Sequence, residues 1–235
     1  MKALNKILKI FGYRIIKGQI LNEHYVLHNY LDKSGNFDYD AYRNIQTQGN
    51  KRKLDLVWVK EENIRFLSQY IKTLIHAPAF GICHGTRRGK EQEWFAKHLG
   101  CKVIGTEISD TANQFPSTIQ WDFHKVKPEW LGSVDFIYSN SFDHSFNPEE
   151  CLTAWMSCLK RGGICILEHT SGHTLSGTSD LDPFGVDLAV FPYLILKWGK
   201  GKYSVREILD APVRPGGIAE CHFICIQNNQ TDRDK

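Results

Sequence analysis

A strand, a glycine-bearing turn, an amphipathic helix and a second strand follow one another over residues 80–109, and that second strand ends in a carboxylate, Glu107. Gly81, Gly85 and Gly89 let backbone amides approach a ligand without Cβ atoms in the way. Trp94, Phe95 and Leu99 give the helix one apolar side, and Gly100 stands where a left-handed C-cap is expected. Glu107 follows Gly85 by 22 residues, the distance at which an acid closing the second strand grips ribose hydroxyls. A lone turn of this kind also serves ordinary helix–strand packing. The ordered run of strand, turn, helix, strand and acid favours a nucleoside-binding βαβ half.

Such a half needs further strands to complete its sheet, and the chain has the length for them. Its 235 residues suit one α/β domain with a modest N-terminal extension. A 42% hydrophobic and 23% charged composition is that of a globular protein with a sizeable core. A net charge of +3 gives no reason to expect nucleic acid as a partner. The seven cysteines contain no CxxC pair, and Cys83, Cys101, Cys165 and Cys225 fall in apolar, strand-like runs. They read as reduced, buried thiols of a cytoplasmic protein, and no disulfide, zinc or other metal framework is expected. No apolar run approaches the ~20 residues of a membrane-spanning helix.

At the N-terminus, Leu4, Ile7, Leu8 and Phe11 fall at helical spacing among Lys2, Lys6, Lys9, Arg14 and Lys17. Lysines interrupt the apolar stretch and no small-residue cleavage site follows, so a signal peptide is not expected. Two readings stand: a basic amphipathic helix resting on an anionic membrane surface, or a helix packed on the domain with its lysines solvated. Residues 22–60 are polar and aromatic-rich, and could fold over the site as a cap. Ile64, Leu67, Ile71, Leu74 and Ile75 then mark an amphipathic helix that ends near His76 and Pro78.

Beyond the βαβ half, a short helical turn over 110–115 precedes a third strand, 118–121, which ends at Asp122-Phe123. A carboxylate there can accept from an exocyclic adenine amine, with the aromatic stacking on the ring; the alternative for Asp122 is a turn cap. Residues 133–140 form the fourth strand. Asn147, Pro148 and Glu150 then make a capping-box start for a helix with Leu152, Trp155, Met156 and Leu159 on one face. Lys160 and Arg161 complement that helix's C-terminal dipole. Gly162-Gly163 lead into a fifth strand, 164–168. A buried helix over 187–197 and strands over 204–209 and 220–227, the latter forming an antiparallel hairpin at the sheet edge, complete the pattern.

Three segments together resemble the class I S-adenosylmethionine-dependent methyltransferases: 81–109, Gln120-Trp121-Asp122-Phe123, and 135–168 with its Asn140-Ser-Phe-Asp-His144, Asn147-Pro148 and Leu159-Lys-Arg-Gly-Gly163. The resemblance covers roughly residues 60–170. It implies a doubly wound, Rossmann-like, mostly parallel seven-stranded sheet with an antiparallel edge hairpin, preceded by an N-terminal helical extension. It also implies S-adenosyl-L-methionine as cofactor. By that likeness Gly85, Thr86 and Arg87 face the methionine part, Glu107 holds the ribose, Ile108 and Phe123 flank the adenine, Asp122 binds its amine, and Asn140 and Ser141 lie beside the sulfonium. The chain departs from the family where Gly81 stands for an acid and Cys83 and Arg87 for glycines. Arg87 or His84 would then replace some methionine-end contacts. The amino-methylating tetrad with paired prolines is absent after Asn140, which argues against DNA-base or glutamine methylation.

Methyl transfer asks for in-line positioning and, with a hydroxyl acceptor, a base. His144, after strand four, and His169 and His173, after strand five, all sit at the carboxyl edge of the sheet, where open α/β sheets bind ligands. His144 is the first choice of base. The expected organisation is a cap over 1–60, a cofactor-binding domain over 61–228 and a polar tail over 229–235. The expected acceptor is a small molecule or a glycan hydroxyl, as in surface-glycan synthesis, with peripheral contact to the inner face of the membrane as one reading and no nucleic-acid partner. Two other functions fit parts of the pattern: a nicotinamide-dependent oxidoreductase, against which the turn does not read G-x-G-x-x-G, and a catalytically silent S-adenosylmethionine-binding subunit.

Overall fold

The structure, a computed structural model, describes residues 19–22 and 24–229; the basic amphipathic stretch at the N-terminus and the last residues of the tail lie outside them. The chain begins with two short antiparallel strands, β1 (Gln19–Asn22) and β2 (Tyr25–Leu27), followed by helix α1 (Tyr39–Arg52). Asp38 caps α1 by accepting from the Ala41 amide, 2.9 Å. Helix α2 (Glu61–Leu74) then leads into β3 (Phe80–His84), α3 (Lys90–Leu99), β4 (Lys102–Glu107), β5 (Thr118–Gln120) and β6 (Val134–Ser139). Helix α4 (Pro148–Cys158), β7 (Leu159–Thr170), β8 (Phe184–Val186), α5 (Phe191–Gly199), β9 (Tyr203–Asp210) and β10 (Cys221–Asn228) follow.

The main sheet has seven strands in the order β5-β4-β3-β6-β7-β10-β9. Strands β3 to β7 pair in parallel, and β10 runs antiparallel to both of its neighbours. This is the expected doubly wound sheet with its antiparallel edge hairpin. Alternation along the strands splits the core in two. Ile82, Ile137, Cys165, Leu167 and Ile224 pack on one face with Trp155 of α4 and Leu194 of α5. Cys83, Phe136, Tyr138, Ile166 and Phe223 pack on the other with Leu67 of α2 and Phe95 of α3. Both faces of the strands are buried, as parallel strands between helix layers require. Gly81, where the family carries an acid, lies against the Phe136 ring; a Cβ there would come within 2.2 Å of it.

Four sequence expectations change. First, the chain's N-terminal part is not purely helical: β1 and β2 join β8 in a separate three-stranded antiparallel sheet. Strands of three residues carry too little alternation to be read. Second, the helix expected over 187–197 starts at Phe191, because Asp187–Val190 is a hydrogen-bonded turn and Pro192, lacking an N–H, fits the first helical turn. Third, α4 stops at Cys158, so Lys160 belongs to β7 rather than to a helix end. Its ammonium pairs with Asp135 at 2.8 Å, while Asp135 also accepts from the amides of Ala79 and Phe80 ahead of β3. Fourth, β7 begins before Gly162-Gly163 and passes through them, with an irregular register against β6. Gly100, by contrast, is the left-handed C-cap of α3 at φ 68°, as its position predicts.

Candidate active site

Strand order reverses at β3: the chain builds outward through β4 and β5, then returns to place β6 on the other side. A crevice at the carboxyl ends of β3 and β6 is the ligand position this topology favours. Gly85 follows β3 there with φ +74°, and Ser141 follows β6. A Cβ on Gly85 would meet Ser141 Cβ at 2.6 Å, so glycine is what lets the two loops close together. Above them is a cleft of two connected lobes whose shared wall is Lys53, Gly85, Arg87, Ser141 and His144.

The inner lobe, about 540 Å³ with its opening, is lined by Glu107, Ile108, Asp122 and Phe123 from the domain and by Tyr42, Gln46 and Asn50 from α1. Glu107 is buried at 6% exposure and accepts from the Ser109 amide at 2.9 Å. Burial pushes its carboxyl up to about 7, against the opposing pull of that amide and of the Arg87 guanidinium. Asp122 behaves differently. Burial raises it, but the side chain and amide of His124 and the Tyr39 hydroxyl outweigh that and hold it below the usual carboxylate range. Tyr39 Oη donates to Asp122 Oδ2 at 2.8 Å, and the His124 ring lies 2.8 Å from Oδ1. Tyr39 of α1 therefore already orients Asp122.

The outer lobe, about 800 Å³ with its open mouth, takes in Trp58, Arg88, Lys90, Glu91, Asn140, Asp143, His173 and Asp182. Glu91, on the first turn of α3, is pushed up to about 7 by burial and accepts from Asn140 Nδ2 at 3.3 Å. Asp143 is pushed up to about 6 by burial, and its Oδ1 is buried with no hydrogen-bond partner. His144 Nδ1 lies 2.7 Å from Gln46 Oε1, and Nε2 lies 3.6 Å from Asp182 Oδ1. Ligand atoms of Asp143, His144 and Asp182 fall within 4.8 Å of one another. Below them Glu168 accepts from Trp58 Nε1 at 2.7 Å and Tyr138 Oη at 2.8 Å, which ties the cap's Trp58 to the end of β7. Arg87 and Arg88 donate to the carbonyls of Leu56 and Asp55 in the same cap segment.

The expected site residues fall as follows. Glu107, Ile108, Asp122 and Phe123 line the inner lobe, Gly85, Arg87, Ser141 and His144 line both lobes, and Asn140 lines the outer one. Thr86 lines neither. Its side chain is buried at 1% exposure, against the place where Gly105 has no Cβ. The amides of Gly85 and Thr86 both donate to the Thr106 carbonyl, so the turn spends these two donors on β4 and not on a ligand. His84 also turns inward: it stacks on Trp155, bonds Thr106 Oγ1 at 2.8 Å, and burial pushes it down to about 3. His169 is likewise buried, with Nε2 on the Val186 carbonyl at 2.9 Å.

Residues the sequence did not single out are Glu91, whose place in the first turn of a helix looks like a dipole partner, and the cap residues Tyr39, Gln46, Asn50 and Trp58. Asp182 lies in the stretch 170–183, whose Ser, Thr, Gly and Asp content suits an acceptor-facing loop, but nothing marks it out within that stretch.

The geometry agrees with comparisons to known proteins. The family model for a methyltransferase domain matches residues 82–167. No curated protein matches the chain. Among solved structures, the chain is similar to the Burkholderia thailandensis 1,6-didemethyltoxoflavin-N1-methyltransferase bound to 1,6-didemethyltoxoflavin and S-adenosylhomocysteine. That match has 11% identity and a TM-score of 0.64, over 91% of this chain and 99% of that one. It is also similar to the plantazolicin methyltransferase BpumL in complex with a triazolic desmethyl analogue and S-adenosylhomocysteine, at 14% identity and TM-score 0.62 over 81% and 96% of the two chains. A TehB-like S-adenosylmethionine-dependent methyltransferase from Corynebacterium glutamicum matches at 13% identity and TM-score 0.51 over 81% and 98%. The cleft at the switch point, the methyltransferase-domain match over residues 82–167 and these neighbours agree on one fold, that of the S-adenosylmethionine-dependent methyltransferases.

Proposed function

We propose that this protein methylates a hydroxyl of a small polar molecule, with His144 as the base. The carrying observation is that the two lobes meet at Gly85, Ser141 and His144. A group held in the inner lobe and an acceptor in the outer one would face each other across that wall.

The inner lobe fits an adenosyl group. Glu107 offers a buried carboxylate for the ribose hydroxyls, Ile108 and Phe123 offer apolar surfaces for the adenine faces, and Asp122 offers an anchored acceptor for its amine. Gly85 carries no Cβ to hold the Ser141 loop away from the wall between the two lobes. S-adenosylmethionine, when bound, supplies an electrophilic methyl group. The residues of the outer lobe have the remaining tasks. Glu91 and Asn140 hold a polar wall, Trp58 and its segment exclude water, and His144 receives the acceptor's proton at a ring nitrogen.

The toxoflavin and plantazolicin enzymes act on small molecules, which favours an acceptor of that size here. The finer reading is a sugar or lipid-linked sugar hydroxyl, used in surface-glycan synthesis at the cytoplasmic face of a membrane. Its support is the basic amphipathic run over 1–20, and co-sedimentation of the full chain with anionic vesicles is its test. Transfer of labelled methyl from S-adenosylmethionine to a panel of hydroxyl, amine and thiol acceptors tests the main reading. Labelled ethers support it; labelling of amines alone would replace the hydroxyl with nitrogen, and binding without transfer to any acceptor would point to a silent subunit.

A further inference from the structure

Gln46 lies in the middle of α1 at 6% exposure, and both ends of its amide are engaged. Nε2 donates to the Leu181 carbonyl at 2.8 Å, and Oε1 lies 2.7 Å from His144 Nδ1. A backbone carbonyl only accepts, so the amide nitrogen must face Leu181 and the oxygen must face the histidine. An amide oxygen also only accepts, so His144 Nδ1 must carry a hydrogen. A neutral imidazole has one N–H, which leaves Nε2 with its lone pair.

The surroundings hold this arrangement. Tyr42, one turn before Gln46 on the same helix, donates its hydroxyl to the His144 carbonyl at 3.2 Å. Asp182, fixed by the Ser179 hydroxyl donating to Oδ2 at 2.9 Å, faces Nε2 from 3.6 Å, beyond hydrogen-bond distance, so the short Gln46 contact on Nδ1 outweighs its pull on an Nε2 proton. Gly49, one turn further along α1, has no Cβ where Leu181 packs; one would come within 2.2 Å of that side chain. The helix thus reaches both the loop of the histidine and the loop of Leu181.

We infer that Gln46 is a positioning residue that locks His144 in its Nδ1–H tautomer and so makes Nε2 the basic nitrogen facing the outer lobe. The activity part of this inference rests on the proposed role of His144; the tautomer part does not. A consequence is that the base is set from outside the methyltransferase domain. Gln46 belongs to the cap and precedes residues 82–167, so the domain without a docked α1 has His144 but not its tautomer.

The test separates the two parts. Long-range ¹H–¹⁵N correlation spectra of the full chain, labelled at histidine and recorded at a pH where the His144 ring is neutral, report which nitrogen carries the proton. His144→Asn assigns the signal. The wild-type protein should show the Nδ1–H form at about tenfold or greater excess, since one hydrogen bond is worth roughly 1.4 kcal/mol here. Gln46→Leu should shift the ring towards Nε2–H or a mixture. An Nε2–H signal in wild type overturns the inference, as does a Gln46→Leu spectrum unchanged from wild type. The wild-type spectrum decides even if Gln46→Leu fails to fold. With an acceptor in hand, Gln46→Leu should lower kcat about tenfold or more with KM for the cofactor little changed. A correct tautomer without any loss in kcat would refute His144 as base while leaving the hydrogen-bond assignment intact.

Discussion

Glu107→Gln should make this protein more stable and worse at holding its cofactor. The wild-type carboxyl is displaced from an ordinary 4.5 to about 7 in the folded chain, with burial the largest cause. A displacement of that size corresponds to about 3 kcal/mol, at roughly 1.4 kcal/mol per tenfold. The group is almost fully buried, so solvent screening removes little of it. The sign follows from the raised value. Below pH 4.5 the carboxyl is protonated in both folded and unfolded chains and costs nothing. As pH rises towards 7 the unfolded chain ionises while the folded one resists, and stability falls; above pH 7 the loss is constant.

Glutamine keeps the oxygen that accepts from the Ser109 amide and never ionises. The variant should therefore melt higher than wild type at pH 8, by up to about 6–12 °C for a chain of this size, and no higher at pH 4.5. The same change replaces a charged acceptor of the ribose hydroxyls with a neutral one. Charge-assisted bonds are worth about 1.5–3 kcal/mol each, so S-adenosylhomocysteine should bind at least about tenfold more weakly. Differential scanning fluorimetry at both pH values, with a calorimetric titration at pH 8, reads both effects. A variant that melts lower than wild type at pH 8 would refute the burial argument. Unchanged affinity would remove Glu107 from the cofactor site.

Three other substitutions probe the cleft. Asp122→Ala should weaken S-adenosylhomocysteine less than Glu107→Gln does, because Ile108 and Phe123 still flank the adenine; a larger loss in the same titration would reverse the ranking of the two acids. His144→Asn should cut single-turnover methyl transfer by ~10²–10⁴-fold with cofactor affinity nearly unchanged. A wild-type chemical rate for the variant would end the base assignment. Gly85→Ala forces a side chain into φ +74° and against Ser141, so it should cost about 1–2 kcal/mol from the backbone alone and lower Tm by several degrees; an unchanged Tm would mean the two loops are not packed as described.

The main sheet was legible because its strands are apolar on both faces and its punctuation is chemical: Gly100 at a left-handed cap, Asn147 and Pro148 at a helix start, Asp122 and Glu107 at strand ends. The cap was not, and α1 shows why. Its buried residues, Tyr42, Gln46, Gly49 and Asn50, fall at helical spacing but are mostly polar, since the surface they cover is the polar cleft. A search for apolar periodicity passes over such a helix. Its interior is marked instead by long-range bonds, Tyr39 to Asp122 and Asn50 to Thr111, which only the folded chain reveals. Thr86 and His84 show the converse error. A motif put them in a ligand-binding turn, while the packing of Gly105 and Trp155 drew both side chains inward. Lys160 looked like a helix-end cation because the chain passes from α4 into β7 without a loop, and nothing local marks that junction.

Titrating S-adenosylhomocysteine into the full chain at pH 8, beside NAD, tests the central claim most directly. The account predicts one site per chain with micromolar or tighter affinity, on the order of −8 kcal/mol, and no saturable heat with NAD. Absence of binding by S-adenosylhomocysteine, or an equal response to NAD, would contradict it.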